Sequence, residues 1–118
     1  QIKKQKYIAK KRSKTGVPPL IVDLHIDKLI KNPKKLKVWE ILDYQINSAK
    51  NQLDWAISKR KERIIFIHGI GEGILKAELE TLLRRYDNIK FYPANPNEFG
   101  AGAIEVYRMK KISSSNND

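Results

Sequence analysis

The sequence predicts an α/β fold, with a four-stranded mixed sheet and helices packed against it. Four short stretches rich in branched and aromatic residues are typical of strands. Two longer stretches, which separate the first three of them, carry apolar residues at helical spacing. Only a short turn-forming segment joins the last two strands, which favours an antiparallel return. The predicted order is strand, helix, strand, helix, strand, strand.

The first strand and the first helix are predicted from residues 20–61. The stretch LIVDLHI, residues 20–26, is apolar on both faces apart from Asp23 and His25, so we expect a central strand. A long helix follows from about 34 to 61 and exceeds the needs of so small a domain, so one end is expected to project or bend. We interpret Trp39 as core, whereas Trp55 lies on another face and is the better candidate for exposure. The apolar positions of this helix are Leu36, Trp39, Leu42, Ile46, Ala49, Leu53 and Ala56.

The second half of the chain supplies the other elements. Residues 63–68, RIIFIH, form a buried strand, and a helix marked by spaced leucines follows and ends near residue 85. Residues 89–94 form the third strand, residues 95–102 a loop, and residues 103–109 an alternating fourth strand.

Charge is the strongest compositional signal. The 118 residues, enough for one domain, carry a net charge of +11 and a pI near 9.9. Such an excess attracts polyanions, so we expect a nucleic-acid partner, DNA or RNA, with an acidic protein or an anionic membrane surface as alternatives. No apolar run is long enough to span a membrane, and none resembles a signal peptide. The absence of cysteine excludes disulfides and thiolate metal sites and fits a cytoplasmic location.

The two ends differ from the body, residues 17–111. Residues 1–16 hold seven basic residues and no acidic one, which predicts a flexible basic arm or linker. Within it Lys10, Lys11 and Arg12 are candidate nucleic-acid contacts. Residues 112–118 form a polar tail that we expect to be disordered. Because the chain begins with glutamine, we expect it to be a piece of a longer protein.

A glycine-rich loop follows the second strand. His68 closes that strand, and Gly69, Gly71 and Gly73 come at alternate positions before the helix. A strand end facing a helix amino terminus favours anions, and glycines let backbone amides approach a phosphate or adopt positive φ. We therefore expect nucleic-acid contact at these glycines and at Lys76, the alternative being a turn without a ligand.

Two common phosphate loops do not fit this spacing. A Walker A loop needs a lysine directly after its last glycine, followed by serine or threonine, whereas Lys76 comes later and precedes Ala77. A dinucleotide fingerprint needs Gly-x-Gly-x-x-Gly and an acidic residue at the end of the next strand, and both are missing.

Asp23, His25 and His68 are the candidate catalytic residues. Parallel strands end at the same sheet edge, so His25 and His68 should lie near each other, and Asp23 should share a face with His25. A carboxylate beside an imidazole sets its tautomer and raises its basicity. The alternative is that Asp23 caps a turn and His25 faces solvent. Glu72 suits the helix dipole, and these four side chains would bind a metal ion only if folding assembled them.

The segment FGAG before the last strand contributes two more glycines. Gly100 and Gly102 either bring backbone close to the same sheet edge or form a bend, and they are also candidate nucleic-acid contacts. Of the nearby aromatic residues, Tyr92, Phe99 and Tyr107 could stack on exposed bases.

Taken together, these motifs resemble the Smr domain, the small MutS-related domain. Its pattern is Asp-Leu-His near the start, His-Gly-x-Gly-x-Gly after the second strand and Gly-x-Gly-Ala before the last one; here these are VDLHI, HGIGEG and GAGAIEV. The resemblance spans about residues 21–108 and indicates the terminal Smr domain of a larger bacterial protein. It implies a two-layer α/β sandwich like the C-terminal domain of translation initiation factor three. It also implies nucleic-acid binding, often with endonuclease activity, at Asp23, His25 and the His68 loop.

One departure separates two hypotheses about function. Family members usually have glycine after Asp-Leu-His, whereas Ile26 stands here and could narrow the approach of a phosphate. The first hypothesis is an endonuclease, which needs no metal on RNA but favours a divalent ion, Mg²⁺ or Mn²⁺, on DNA. The second is a non-catalytic module that delivers a larger protein to nucleic acid or to the ribosome.

Overall fold

A four-stranded mixed sheet organises the computed structural model, which describes residues 16–109. Its strands are β1 (Leu20–Asp23), β2 (Arg63–Ile67), β3 (Ile89–Pro93) and β4 (Ala103–Arg108), arranged in the order β1-β2-β4-β3. β1 pairs parallel with β2, and β4 pairs antiparallel with both β2 and β3. The predicted mixed sheet, the parallel first pair and the antiparallel return are therefore confirmed.

The prediction that the first strand is central is wrong, because β1 lies at an edge and pairs only with β2. The return of β4 between β2 and β3 fills the inner position, and Ile21 on β1 is 52% exposed. The strand is also shorter than predicted, since it ends at Asp23. His25 precedes a short helix, α1 (Ile26–Leu29), whose first residue, Ile26, was predicted to belong to the strand.

Two long helices cover one face of the sheet. A 3₁₀ turn at Pro33–Lys35 precedes α2 (Val38–Ser58), so the helix begins four residues later than predicted. The Glu40 carboxylate accepts a 2.8 Å hydrogen bond from the Lys37 backbone N–H and caps the start. The second helix, α3 (Ile74–Leu83), lies where it was expected.

A further short helix, α4 (Pro96–Phe99), replaces the loop predicted before β4. The Asn95 side chain accepts a 2.9 Å hydrogen bond from the backbone N–H of Asn97, and proline stands in the first turn. Both features favour a helix start, although a single turn has too few residues for apolar periodicity to be visible in the sequence.

The main core lies between the helices and the sheet. Alternate strand residues point towards the helices, and all members of this cluster are buried to at least nine-tenths. They include Val22, Ala49, Leu53, Ala56, Ile64, Phe66, Leu79, Leu83, Ile104 and Val106. On the opposite face, Ile65 and Ala103 form a smaller cluster, and buried Arg63 donates a 2.7 Å hydrogen bond to Glu105.

The interpretation of Trp39 as core is wrong. Only the middle and last part of α2 is buried, whereas Val38 and Trp39 in its first turn are 80% and 60% exposed. With 21 residues, α2 is roughly 30 Å long, which exceeds the roughly 20 Å of even the six-residue strand β4. Its first turn therefore extends past the sheet, as the predicted length suggested. Trp55 is 45% exposed, as expected.

The predicted basic arm and polar tail fall almost entirely on residues 1–15 and 110–118. These segments, with Lys10, Lys11 and Arg12, lie outside the described residues. Within residues 16–109, no helix is both long and apolar enough to cross a membrane.

Candidate functional site

Three segments that are distant in sequence meet at one edge of the sheet. Ile67, the last residue of β2, is in register with Asp23 at the end of β1 and with Ala103 at the start of β4. Beyond the strands, the backbone N–H of Leu24 donates a 2.8 Å hydrogen bond to the Ile67 carbonyl. The first two motifs thus lie side by side, as their positions at parallel strand ends predicted, and the start of β4, which follows the third motif, adjoins them.

The side chains of Asp23 and His25 form the best-defined pair at this edge. Asp23 Oδ1 accepts hydrogen bonds from the His25 backbone N–H at 2.9 Å and from His25 Nδ1 at 2.7 Å. Burial opposes ionisation of Asp23, but the hydrogen bonds to the His25 backbone and ring outweigh it and hold the pKa below the ordinary 3.8. An ionised carboxylate can only accept, so His25 Nδ1 carries the proton. In the neutral ring, His25 Nε2 is left with a lone pair.

His25 Nε2 faces the glycine loop. A methyl group at position 69 would lie 2.7 Å from His25 Nε2, closer than a side chain can approach. Gly69 also has φ +82°, a backbone conformation that other residues rarely adopt. The first glycine of the loop is therefore required by the imidazole beside it as well as by its own backbone. Both alternatives hold in part: Asp23 caps the turn by accepting from the His25 N–H and half of the His25 side chain is exposed, yet Asp23 also bonds the His25 ring.

Gly102 supports the loop from the other side. Its carbonyl accepts hydrogen bonds from the N–H groups of His68 at 2.8 Å and Gly69 at 3.0 Å. A methyl group at position 102 would lie 2.5 Å from the Gly69 carbonyl carbon. Gly100, with φ +79° and open space around its Cα, instead ends α4 in a bend. Each of the two glycines thus follows a different one of the alternatives considered from sequence.

His68 is held in one tautomer by the loop that it precedes. Its Nδ1 lies 2.8 Å from the Gly69 carbonyl, which can only accept, so Nδ1 carries the proton. Burial lowers the pKa of His68, and the charges of Lys76 and His25 act in the same direction, outweighing the Gly69 hydrogen bond and Glu80. His68 is therefore mostly neutral near pH 7, with the lone pair on Nε2.

The other two loop glycines differ from each other. Gly73 has φ +88° and is the residue before α3, so its backbone requires glycine. Gly71 has no positive φ, and a methyl group there would meet nothing within 4 Å. Of the two reasons considered for the loop glycines, positive φ applies to Gly69 and Gly73 and does not apply to Gly71. Neither backbone nor packing requires a glycine at this exposed position.

A groove runs beside the loop, between it and the start of α2. It has a volume of about 730 Å³, and its walls are largely apolar. His68 and Gly69 line it together with Lys76. Its exposed apolar walls are formed by Val38 and Trp39 of α2 and by Ile70 and Ile74 beyond the loop glycines.

A lysine-rich segment leads into that groove. Residues 28–37 comprise the end of α1 and the connection to α2, and they contain five lysines and no acidic residue. All five lysines are exposed: Lys28, Lys31, Lys34, Lys35 and Lys37. Sequence reasoning missed this segment, although its density of lysines is a signal visible in the sequence.

The acidic and histidine side chains do not assemble as a metal-binding cluster. Within residues 16–109, no group of three or more His, Asp or Glu side chains is placed to hold a metal ion. Glu72, which is exposed in the loop two residues before α3 and not within the helix, does not join Asp23 and the two histidines in such a set.

Comparison with known proteins places the chain in a family. Residues 42–108, more than half of the chain, match the Smr domain model, so the chain belongs to the Smr domain family. The match includes the second and third motifs, whereas Asp23 and His25 lie before it. The crystal structure of the Smr domain of Thermus thermophilus MutS2 superposes with a TM-score of 0.57 at 26% identity. It covers 77% of this chain and 99% of that domain.

The chain also matches a small part of a much longer relative. Endonuclease MutS2 of Clostridioides difficile (strain 630) is 32% identical over 69 residues, 58% of this chain. This chain spans only 9% of that relative's length. The family predicted from the three motifs is thereby confirmed, together with the α/β fold.

Proposed function

We propose that this Smr domain binds nucleic acid at the shared sheet edge and cleaves a phosphodiester bond there, with His25 as general base. The observation that carries the proposal is the Asp23–His25 pair. Asp23 Oδ1 lies 2.7 Å from His25 Nδ1 and holds the ring proton on that nitrogen. His25 Nε2 is then free to act as a base beside the backbone of Gly69. The Asp23 carboxylate also stabilises the imidazolium that forms when His25 Nε2 takes a proton.

On RNA, the chemistry needs no further cofactor. His25 Nε2 removes the proton of a 2′-hydroxyl, the 2′-oxygen bonds to phosphorus, and the bond to the 5′-oxygen breaks. Neutral His68 has no proton on Nε2, so the leaving oxygen takes its proton from water near pH 7. The amino terminus of α3 and Lys76 supply positive potential for the phosphate.

On DNA, a water molecule must attack, because there is no 2′-hydroxyl. Mg²⁺ or Mn²⁺ would then favour the reaction by polarising the phosphate. Since the described side chains form no ready cluster for such an ion, we assign no residue to hold it.

Charge and relationship add independent support. The chain carries a net charge of +11, which favours polyanion binding. The relative from Clostridioides difficile is named an endonuclease, and the shared segment is an Smr domain. We extend that activity to this chain as part of the proposal.

The test is a cleavage assay on end-labelled RNA and single- and double-stranded DNA, with and without EDTA. Wild type is compared with His25→Ala, and circular dichroism checks that both fold. We expect the variant to lose roughly 10²-fold or more in rate, the contribution of a positioned general base. Inhibition by EDTA on DNA alone would support metal assistance. Equal cleavage by both proteins would exclude His25 as the base.

A binding module without catalysis is the second candidate function. Ile26, at the position where the resemblance to the Smr family leads us to expect glycine, is the first residue of α1 and follows His25 directly. The exposed lysines of residues 28–37 favour binding independently of any cleavage. This alternative predicts salt-sensitive binding to nucleic acid or ribosomes by wild type and His25→Ala alike, with no cleavage by either. Replacing Ile26 with glycine and observing cleavage only then would identify it as the obstacle.

A further inference from the structure

We propose that the groove between α2 and the glycine loop holds an unstacked base of a single-stranded nucleic acid, with Trp39 as the stacking platform. The proposal rests on the proposed function and adds a preference for single strands over duplexes. It assigns a role to residues of α2 that lie outside the three Smr motifs.

Exposure of apolar side chains on both walls is the first observation. Val38 and Trp39 on one wall are 80% and 60% exposed, and Ile70 and Ile74 on the other are 83% and 54% exposed. None of these four side chains belongs to the buried clusters of the fold. Because these four side chains line one groove instead of being scattered singly over the surface, they are a candidate binding site. The volume of about 730 Å³ falls within the range of small-ligand sites.

Charge around the groove selects the ligand. The five exposed lysines of residues 28–37 precede Val38 and Trp39 in the chain. The groove itself is lined by one basic side chain, Lys76, and one acidic side chain, Glu72. The apolar walls favour a planar apolar group, and the lysines of the adjoining segment together with Lys76 favour a ligand whose flanking groups are anionic. A nucleotide in a polynucleotide has both, since its base stacks on an indole while lysines neutralise the flanking phosphates.

The groove is also continuous with the candidate catalytic edge. His68 and Gly69 line it, and Gly69 contacts His25 Nε2. A base held by Trp39 would thus place a neighbouring phosphate near the Asp23–His25 pair. Bases in a duplex are paired and stacked on each other, so only an unpaired nucleotide can enter.

Tryptophan fluorescence provides the test, because the chain has two tryptophans on one helix. In a Trp55→Phe background, Trp39 is the remaining indole, and it is titrated with oligothymidylate, oligouridylate or a blunt DNA duplex. We expect quenching by the single strands and little change with the duplex. In the wild-type background, Trp39→Ala should weaken single-strand binding roughly 10-fold and duplex binding hardly at all, while Trp39→Phe keeps most of the affinity.

Trp55→Ala is the matched control, since Trp55 is similarly exposed near the other end of α2. It should leave single-strand affinity unchanged. Salt-sensitive binding with no quenching and no effect of Trp39→Ala would overturn the stacking site and leave the proposed function standing. An equal loss for duplex and single strand would also overturn it. Failure to bind any of these nucleic acids would reject both proposals. If sedimentation showed that the wild type self-associates and that Trp39→Ala does not, the groove would instead be an interface with a second copy of the chain.

Discussion

The backbone of Gly102 lies directly against the backbone of Gly69, so that a methyl group at position 102 would come within 2.5 Å of the Gly69 carbonyl carbon. The Gly102 carbonyl also accepts hydrogen bonds from the N–H groups of His68 and Gly69. These contacts fix the loop that faces His25 Nε2. The third motif therefore acts on the site through the second, and the following predictions test how these residues depend on one another.

Replacing Gly102 with alanine should destabilise the domain by about 1–3 kcal/mol, because the new methyl group overlaps backbone that cannot swing aside. Gly71→Ala is the matched control, since a methyl group there meets nothing within 4 Å. Its free energy of unfolding should stay within about 0.5 kcal/mol of wild type. Urea denaturation measures both values. Equal stability of the two variants would mean that the contact between Gly102 and Gly69 is not tight in solution.

Replacing Asp23 with asparagine should lower the cleavage rate by roughly 10²-fold or more while nucleic-acid affinity changes little. The amide could still accept from His25, but it would neither enforce the Nδ1 proton nor stabilise the imidazolium. Single-turnover cleavage and a separate binding titration distinguish these effects. A proportional loss of affinity and rate would instead indicate that Asp23 only shapes the loop.

Acidification should reduce stability through His68. Its pKa in the folded protein lies below the ordinary 6.5, so the unfolded chain binds more protons as the pH falls through that value. The contribution is present in full above pH 6.5 and declines below it, whereas that of Asp23 declines only below about 3.8. The urea midpoint should therefore decrease less between pH 7.5 and pH 5.5 for His68→Gln than for wild type. An identical fall in both proteins would contradict the prediction.

Replacing both Lys34 and Lys35 with glutamine should flatten the dependence of affinity on salt. If each lysine contacts one phosphate, the slope of log affinity against log salt should decrease in magnitude by about 0.7–0.9 per lysine. Lys59→Gln combined with Lys90→Gln removes the same charge from positions outside the lysine-rich segment, so it serves as the control. Fluorescence anisotropy at several salt concentrations gives the slopes. The same change in both double variants would indicate only a loss of net charge.

Local patterns explain why most elements were predictable. The spacing of Ala49, Leu53 and Ala56 places them on one helical face, and all three are fully buried. The run of residues 63–67 was long and apolar enough to mark β2 as a buried strand. The two single-turn helices escaped prediction, because four residues are too few to show a helical period.

The candidate site was predictable in its parts and less so in its contacts. Asp23, His25 and His68 lie at or just after the ends of the first two strands. Because parallel strands end at the same edge of a sheet, their positions predicted that these residues share that edge. The contact of His25 Nε2 with Gly69 could not be read from the chain, because 44 positions separate these residues and only the sheet register brings them together. Catalytic and binding roles for these residues stay predictions.

The sequence by itself determined the types of the longer elements, the family motifs and the excess of positive charge, because each depends on composition or on spacing within a short stretch. Tertiary structure decided that β1 is an edge strand, that Gly102 supports Gly69 and that Trp39 is exposed. An apolar helical face in the sequence indicates only that its residues can be buried. The length and order of the strands beneath the helix decide which of them are buried. For Trp39, the sheet ends before the helix does, and an apparent core residue becomes the wall of a groove.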